Sequence, residues 1–376
     1  LPNCLSNQWH PKRHLITRKS QPLKNKDSEA LVMSEHIGAK PGAWEGEARP
    51  LFLAPMAGVS DLPFRLLAKD CGADVTITEF TNSTALTREA AMSWRKMESH
   101  ATEIPFIPQI FGGDAGDMAT AAEMLAPTAD IIDLNFGCPA PKVTKICAGA
   151  ALMGEPDNLV SMVDGIIQRV DVPVTAKMRL GTGQGANNAL EICKELENIG
   201  TSRLCIHGRT LRQRYSGEAD WNSITRIVDA VEVPVVANGD VNDAESAKLC
   251  LETTGAAGLM IGRAAIGRPA IFGEIKVGLG WMTEEELPWI KELGDDWYER
   301  SEIGRAFATR KWCWDKYIEH SQKTIGLQPR WMQRHAIAFT KGLPGAKKIR
   351  NVMHGAPTPE DFAIGISNYL APNTED

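Results

Sequence analysis

The strongest chemical signal in the sequence is a cysteine that follows a predicted strand. Residues 129–142 read Ala-Asp-Ile-Ile-Asp-Leu-Asn-Phe-Gly-Cys-Pro-Ala-Pro-Lys, and the short apolar run near its start, which has no helical period, predicts a buried parallel strand. Gly137 then lets the backbone turn, and Pro139 ends the ladder pairing. A single cysteine is more often a small buried apolar residue. Because Cys138 lies in a polar turn at the rim of a sheet, we favour a chemical role for it.

Polar or glycine-rich groups also follow the other predicted strands. In chain order, the eight strand ends carry Pro55-Met56-Ala57-Gly58, Glu79, Gln109, Asn135 with Cys138, Lys177 with Arg179, His207 with Arg209, Asn238-Gly239-Asp240, and Gly262-Arg263. Taken alone, Lys177 has an ordinary explanation as a solvated charge, and His207 as a core histidine. Buried amides and charges without partners are costly, so a full ring of such groups indicates a large polar ligand.

The elements that position these groups alternate between strands and helices. Strand-like runs occur at 51–55, 75–79, 106–110, 131–135, 172–178, 203–207, 233–237 and 257–261, and helix-like segments at 63–71, 115–125, 159–170, 189–199, 223–230 and 244–253. This alternation, over about the usual length of a barrel, predicts an α/β fold with a (β/α)8 TIM barrel. A doubly wound open sheet is the alternative. It is weakened because no Gly-x-Gly-x-x-Gly turn follows the first strand.

The last two strand ends indicate which ligand the ring would bind. Gly239 and Gly262 allow backbone N–H groups to approach closely, Arg263 supplies a positive charge, and barrels commonly bind a phosphate after strands 7 and 8. A phosphate there, with Lys177 midway round the ring and Gln109 on the other side, suits FMN. Gln109 would bond the ring edge, and Lys177 would stabilise negative charge on the reduced flavin.

Composition argues against several classes of protein. The 376 residues are 43% hydrophobic and 23% charged, and they contain no run of about 20 apolar residues that could span a membrane. The eight cysteines include no Cys-x-x-Cys pair, which argues against an iron–sulfur or zinc site and favours a reduced, cytoplasmic protein. We therefore predict no metal, no membrane partner and a monomer.

Charge is distributed unevenly along the chain. The net charge is −6, but residues 303–355 hold eleven basic and two acidic residues, a net +9, which leaves −15 for the remainder. Such an asymmetry indicates a polyanionic partner. Acidic residues at 283–302 mark a junction, and Gly and Pro residues beyond it divide a Trp-rich, basic segment into a small helical bundle.

The first 46 residues are polar, contain proline and have no sustained period, so we predict that they are disordered or extraneous. Met33 offers an alternative start, and the basic run through Lys26 is compatible with a transit peptide. This run is rich in Lys and broken by Pro, unlike an amphipathic Arg/Ser helix. Upstream translation or a disordered tail is therefore favoured.

Several motifs together make the chain resemble the tRNA-dihydrouridine synthase family, and within it the bacterial B-type branch. They are Ala54-Pro-Met-Ala-Gly-Val-Ser-Asp-Leu-Pro-Phe-Arg65, Pro108-Gln-Ile110, Asp133-Leu-Asn-Phe-Gly-Cys-Pro139, Lys177-Met-Arg179, Ile206-His-Gly-Arg-Thr210, Asn238-Gly-Asp240 and Ile261-Gly-Arg263. These motifs span the barrel in order, and the resemblance continues more weakly around residues 330–350.

The resemblance implies roles for particular residues. FMN would be bound by Pro55, Met56, Ala57, Gln109, Lys177, His207, Asn238, Gly239, Asp240, Gly262 and Arg263. Asn135 would contact the uracil edge, and Arg179 or Arg209 would contact the phosphate of the flipped nucleotide. The tRNA would be contacted by Arg330, Arg334 and Lys341. The implied domains are a catalytic barrel at 47–282, an acidic junction at 283–302 and a helical tRNA-binding domain at 303–376.

The implied reaction reduces the C5=C6 bond of a D-loop uridine in tRNA. NADPH reduces the flavin, hydride passes from flavin N5 to C6 of the uracil, and Cys138 gives a proton to C5. A thiol with a pKa near 8.5 is mostly protonated at neutral pH and can act as this acid. No Rossmann fingerprint is present in the sequence, so NADPH is expected to bind transiently at the same flavin face.

Two other functions also fit the sequence. A free-pyrimidine flavoenzyme of the dihydroorotate dehydrogenase type would share the barrel and FMN, but it would not need a basic helical segment. A non-catalytic RNA-binding regulator on the same scaffold is disfavoured because Cys138, Lys177 and His207 are all present. Flavin absorbance, together with reduction of tRNA compared with free uridine, would separate the three functions.

Overall fold

The computed structural model describes residues 49–185 and 187–371. The predicted disordered segment 1–46, and the last residues of the predicted helical domain, 372–376, lie outside this part of the chain. Within the described ranges, no helix is both long enough and apolar enough to cross a membrane.

The strands form one parallel sheet that curls into a barrel. Their bounds are β1 Leu51–Leu53, β2 Val75–Thr76, β3 Thr81–Asn82, β4 Gln109–Phe111, β5 Ile132–Phe136, β6 Val174–Arg179, β7 Arg203–His207, β8 Val235–Asn238 and β9 Gly258–Ile261. β1 pairs with β2 and β9, and β3 to β9 pair in sequence order. Between β2 and β3 the Thr78 N–H donates to the Ile107 carbonyl at 3.1 Å. Residues 75–82 therefore form one interrupted strand that closes the ring, and the predicted (β/α)8 barrel is confirmed.

Helices cover the outside of the barrel. They are α1 Leu62–Asp70, α2 Ser83–Thr87, α3 Ala91–Arg95, α4 Ala115–Leu125, α5 Pro141–Thr144, α6 Pro156–Ile167, α7 Ala189–Asn198, α8 Trp221–Val228, α9 Ala244–Thr254 and α10 Ile271–Gly278, with 3-10 turns at Gly149–Gly154 and Arg263–Ala265. Aspartate side chains cap the N-termini of α1, α4, α8 and α9, which satisfies backbone N–H groups that have no partner within the helix. All six predicted helices are present, with ends shifted by at most three residues. The sequence did not predict α2, α3 and α5, which are too short to show a helical period, and it also did not predict α10.

Four longer helices follow the acidic segment. That segment folds into a 3-10 turn at Glu284–Glu286 and the short helices α11 Pro288–Leu293 and α12 Asp296–Glu299, and the longer helices are α13 Glu302–Lys323, α14 Pro329–Thr340, α15 Ala346–Met353 and α16 Pro359–Leu370. The rings of Phe339 and Phe362 lie 5.9 and 6.4 Å from the ring of Trp314. Trp314 is fully buried, and its Nε1 donates to the Ala363 carbonyl at 3.0 Å. The predicted helical domain is thus confirmed as helical, while its boundaries stay a prediction.

The helical domain packs directly on α1 of the barrel. The sulfur atoms of Cys71 and Cys313 lie 3.9 Å apart across the contact. Asp61, which caps α1, accepts a hydrogen bond from the Tyr317 hydroxyl at 3.1 Å and lies 3.3 Å from His335 Nε2. All five residues are buried, so the helical domain is fixed beside the loop that leads from β1 into α1.

Candidate active site

A cavity of about 670 Å³ opens at the carboxyl ends of the barrel strands. Thirteen residues singled out from the sequence line it: Pro55, Met56, Ala57, Asn135, Cys138, Lys177, Arg179, His207, Asn238, Gly239, Asp240, Gly262 and Arg263. Small-molecule and cofactor sites usually measure roughly 300–1,000 Å³. Because parallel strands of a barrel end on one face, the fold brings these predicted residues into a single cavity of cofactor size.

Cys138 lies on a turn that the Asn135 side chain holds in shape. Asn135 Oδ1 accepts hydrogen bonds from the N–H groups of Gly137 at 3.1 Å and Cys138 at 2.9 Å. Arg179 Nε donates to the Gly137 carbonyl at 2.8 Å. Burial raises the pKa of the Cys138 thiol, although nearby cations oppose that shift. The thiol is therefore protonated at neutral pH and can act as an acid.

Gln109 lies behind this turn. It is fully buried, its Oε1 accepts from Asn135 Nδ2 at 2.8 Å, and its Nε2 donates to Asp133 Oδ2 at 2.5 Å. The amide of Gln109 thus links the barrel interior at Asp133 to the residue that holds Cys138. Its predicted contact with the flavin stays a prediction.

Lys177 and His207 form the part of the wall contributed by β6 and β7. Lys177 Nζ donates to Asn238 Oδ1 at 2.9 Å, and Asn238 Nδ2 donates to the Met260 carbonyl at 2.7 Å. Burial lowers the pKa of the Lys177 amine. Burial, followed by the positive charges of Lys177 and Arg179, holds the pKa of His207 well below its usual range. This wall therefore presents a hydrogen-bonded lysine side chain and a neutral imidazole.

Asp240 joins the loops that follow β7, β8 and β9. Its Oδ2 accepts from Arg209 Nη2 and from the Ala219 N–H, each at 2.7 Å, and its Oδ1 accepts from Arg263 Nη2 at 3.3 Å. Gly239 precedes it with φ 120°, and a Cβ there would lie 2.8 Å from the Ala219 Cβ. The Arg209 side chain is buried, whereas that of Arg263 is 52% exposed. Arg263 is thus the arginine of this pair that is open to a ligand, and a phosphate contact by Arg209 stays a prediction.

Tyr215 is a cavity residue that sequence reasoning missed. It lies on the loop after β7, is 53% exposed, and lines the cavity. The guanidinium groups of Arg179 and Arg263 lie 5.5 and 4.9 Å from the centre of its ring. Arg179 Nη1 also donates to the carbonyls of Thr210 at 3.0 Å and Arg214 at 2.7 Å, which ties this loop to the cavity wall. An aromatic residue among the arginines that follow the His-Gly-Arg-Thr motif was the available signal.

The three predicted tRNA contacts in the helical domain lie outside the cavity lining, on α14 or at its end. Arg330, Arg334 and Lys341 are all exposed. Arg334 Nη1 additionally donates to the Gly58 carbonyl at 2.7 Å. Their contact with tRNA stays a prediction, and Arg334 differs from the other two in its bond to a barrel loop.

Sequence similarity to known proteins extends over almost all of the described chain. The family model for Dihydrouridine synthase (Dus) matches residues 52–368. The chain belongs to the dihydrouridine synthase family. It is 43% identical to a tRNA-dihydrouridine synthase B of Pseudomonas syringae pv. tomato over 322 residues, and this aligned region covers 85% of this chain and 91% of the relative. It is 45% identical to a tRNA-dihydrouridine synthase B of Proteus vulgaris over 240 residues, and this aligned region covers 63% of this chain and 73% of the relative.

Membership of the dihydrouridine synthase family covers both parts of the fold. The match begins in β1 and ends in α16, so the barrel cavity and the helical domain belong to one family unit. The resemblance predicted from the motifs is confirmed. Among solved structures, N-(5'-phosphoribosyl)anthranilate isomerase from Pyrococcus furiosus matches 62% of this chain and 100% of its own with 15% identity and a TM-score of 0.39, which is too distant to bear on function.

Proposed function

We propose that this dihydrouridine synthase is of the B type and that it reduces the C5=C6 bond of a D-loop uridine in tRNA with FMN and NADPH. Both bacterial relatives described above carry the name tRNA-dihydrouridine synthase B. The observation that carries the proposal is a buried thiol of raised pKa, Cys138, at the wall of a cavity of cofactor size in a member of this family.

The chemistry of the cavity residues fits FMN. Arg263, whose side chain is half exposed, and the backbone of Gly239 and Gly262 would hold the phosphate. Residues 55–57 supply an apolar surface for the ring system, and Lys177 would neutralise charge at its electron-rich edge. A phosphate group, an apolar ring and a polar ring edge thus each have matching residues in one cavity.

Cys138 is the proposed acid of the reaction. FMN, when bound, supplies the hydride that adds to C6 of the uracil. The negative charge that this addition leaves on the uracil must be quenched at C5, and the protonated Cys138 thiol can donate that proton. The sulfur then regains its proton from solvent. Asn135 and Arg179 fix the turn that carries the sulfur, so they hold the acid in place.

The helical domain is proposed to supply affinity for tRNA. A uridine in folded tRNA must be extruded to reach a barrel cavity, which costs a few kcal/mol. Residues 303–355 carry a net +9, and Lys347, Lys348 and Arg350 among them line an open groove at the start of α15. Phosphate contacts by such cations release counterions and offset the cost of extrusion.

The proposal is tested with the purified protein, FMN, NADPH and tRNA that lacks dihydrouridine. We expect a flavin absorbance spectrum, its bleaching by NADPH, and dihydrouridine formation in tRNA with free uridine left unreduced. Equal reduction of free pyrimidines would favour an enzyme of the dihydroorotate dehydrogenase type instead. Binding of tRNA by a protein that retains no flavin would favour a non-catalytic regulator, and either result overturns the proposal.

A further inference from the structure

A side chain of the helical domain forms hydrogen bonds to a loop that lines the barrel cavity. Arg334, on α14, donates through Nη1 to the carbonyl oxygens of Gly58 at 2.7 Å and Ala57 at 3.5 Å. Ala57 and its neighbour Met56 line the cavity. Arg334 therefore bonds the backbone of a loop proposed to bind FMN.

This loop is fixed from two sides. Gly58 has φ 71°, a conformation that favours glycine, and a Cβ there would collide with the Arg334 guanidinium. The Gly58 N–H donates to the Glu79 carboxylate, and the Met56 N–H donates to Ser60 Oγ at 2.9 Å. The barrel thus holds the N–H of Gly58 through Glu79, while the helical domain holds its carbonyl through Arg334.

Two further contacts keep α14 against the mouth of the barrel. Gly267 lies four residues after Arg263, with φ 73°, and packs so closely on Ala338 of α14 that a Cβ would collide with the helix backbone. His335 of the same helix lies 3.3 Å from the carboxylate of Asp61. Helix α14 therefore touches both the loop after β1 and the loop after β9, the two loops at the ends of the proposed FMN site.

We infer that Arg334 is a positioning residue for FMN, which fixes the Ala57 and Gly58 carbonyls and so presets the cavity wall. The inference rests on the proposed function, because it requires that the cavity binds FMN. A loop that is already held in its bound conformation costs less to order when the ligand arrives. Loss of the guanidinium removes one of the two anchors of Gly58, so FMN affinity falls although Arg334 does not line the cavity.

The test compares Arg334→Ala with Arg330→Ala, which removes the same charge from the same helix one turn earlier. FMN dissociation constants are measured by flavin fluorescence without tRNA, together with the flavin absorption spectrum and the melting temperature of the FMN-free protein. We expect Arg334→Ala to weaken FMN binding about three- to tenfold, the usual effect of one hydrogen bond, to shift the flavin absorption band, and to leave the melting temperature unchanged. Arg330→Ala should keep the wild-type dissociation constant, and Arg334→Lys, which retains a donor, should recover most of the affinity.

Each outcome decides the inference. Equal FMN affinity of Arg334→Ala and wild type overturns it and leaves the proposed function intact. A weaker affinity that Arg334→Lys does not restore, with a lower melting temperature of the FMN-free protein, assigns Arg334 a general structural role and also overturns it. A wild-type protein that binds no FMN removes both the inference and the proposed function, so the wild-type measurement tells the two failures apart.

Discussion

The barrel mouth and the helical domain carry their positive charges in different ways. At the mouth three cations are buried and bonded: Lys177 to Asn238, Arg179 to three backbone carbonyls, and Arg209 to Asp240. Arg263 at the same mouth is half exposed but is paired with Asp240. On and beside α14, Arg330 and Lys341 are exposed. Buried charges require partners, so the geometry of the mouth is set before any ligand binds. Exposed cations bind a polyanion by charge and tolerate imprecise geometry.

Substitutions at the mouth should therefore change the rate of dihydrouridine formation. Substitutions in the helical domain should change the affinity for tRNA and the salt dependence of that affinity.

The largest effect is expected at the proposed acid. Cys138→Ala should leave FMN bound and reducible by NADPH, while dihydrouridine formation at saturating tRNA falls by roughly 10²–10⁴-fold, the usual contribution of a positioned acid. Single-turnover measurement with pre-reduced enzyme isolates this step. Cys250→Ala is the matched control, since Cys250 is equally a buried cysteine but lies on the outer helix α9. Turnover near the wild-type rate in Cys138→Ala would remove the thiol from the mechanism.

A smaller loss of rate is expected when the support of the acid is removed. Asn135→Ala takes away the acceptor of the Gly137 and Cys138 N–H groups, so the sulfur is held less well and the rate at saturating tRNA should fall about 10- to 100-fold. The KM for tRNA should change little. A raised KM with an unchanged kcat would instead mean that Asn135 contacts the uracil edge directly, as the sequence resemblance implies.

Local patterns were sufficient to predict the barrel and the cysteine turn, and contacts between distant segments were not predictable. β7 was predicted at 203–207 and lies there, and the bonds between Asn135 and the N–H groups of the Cys138 turn lie within four consecutive residues. Arg209 and Asp240 are 31 residues apart, and Arg334 and Gly58 are 276 apart. Such pairs depend on the register of the closed barrel and on how α14 docks. The interruption between β2 and β3 was equally hidden, because residues 77–80 contain neither Gly nor Pro.

Substitutions in the helical domain should change the salt dependence of tRNA binding. Arg330→Ala combined with Lys341→Ala removes two exposed cations, and the slope of log K for tRNA against log salt should flatten by about 1.5, given roughly 0.7–0.9 counterions per phosphate contact. Arg334 is left intact because it also bonds the Gly58 carbonyl. Lys194→Ala combined with Lys248→Ala, two exposed lysines on the barrel helices α7 and α9, is the matched control and should keep the wild-type slope. The same slope in both double variants would mean that α14 does not hold the RNA.

The smallest effect is expected in the pH dependence of the rate, which reports on the burial of the mouth alone. Cys138 must be protonated to act as an acid, and an ordinary thiol is half ionised near pH 8.5. Burial raises the pKa of Cys138, so the proton is retained to higher pH and more than half of the neutral-pH rate at saturating tRNA should remain at about pH 8.5. Lys142 is an exposed cation that favours the thiolate and so opposes this shift.

Lys142→Gln should therefore move the descending limb of the pH–rate profile to slightly higher pH. The Arg330 and Lys341 double variant should leave the pH of this limb unchanged, because those cations are outside the cavity lining. A limb that begins below pH 8 in the wild type would mean that the thiol is solvated, and the contrast between a shielded mouth and an exposed helical domain would not hold.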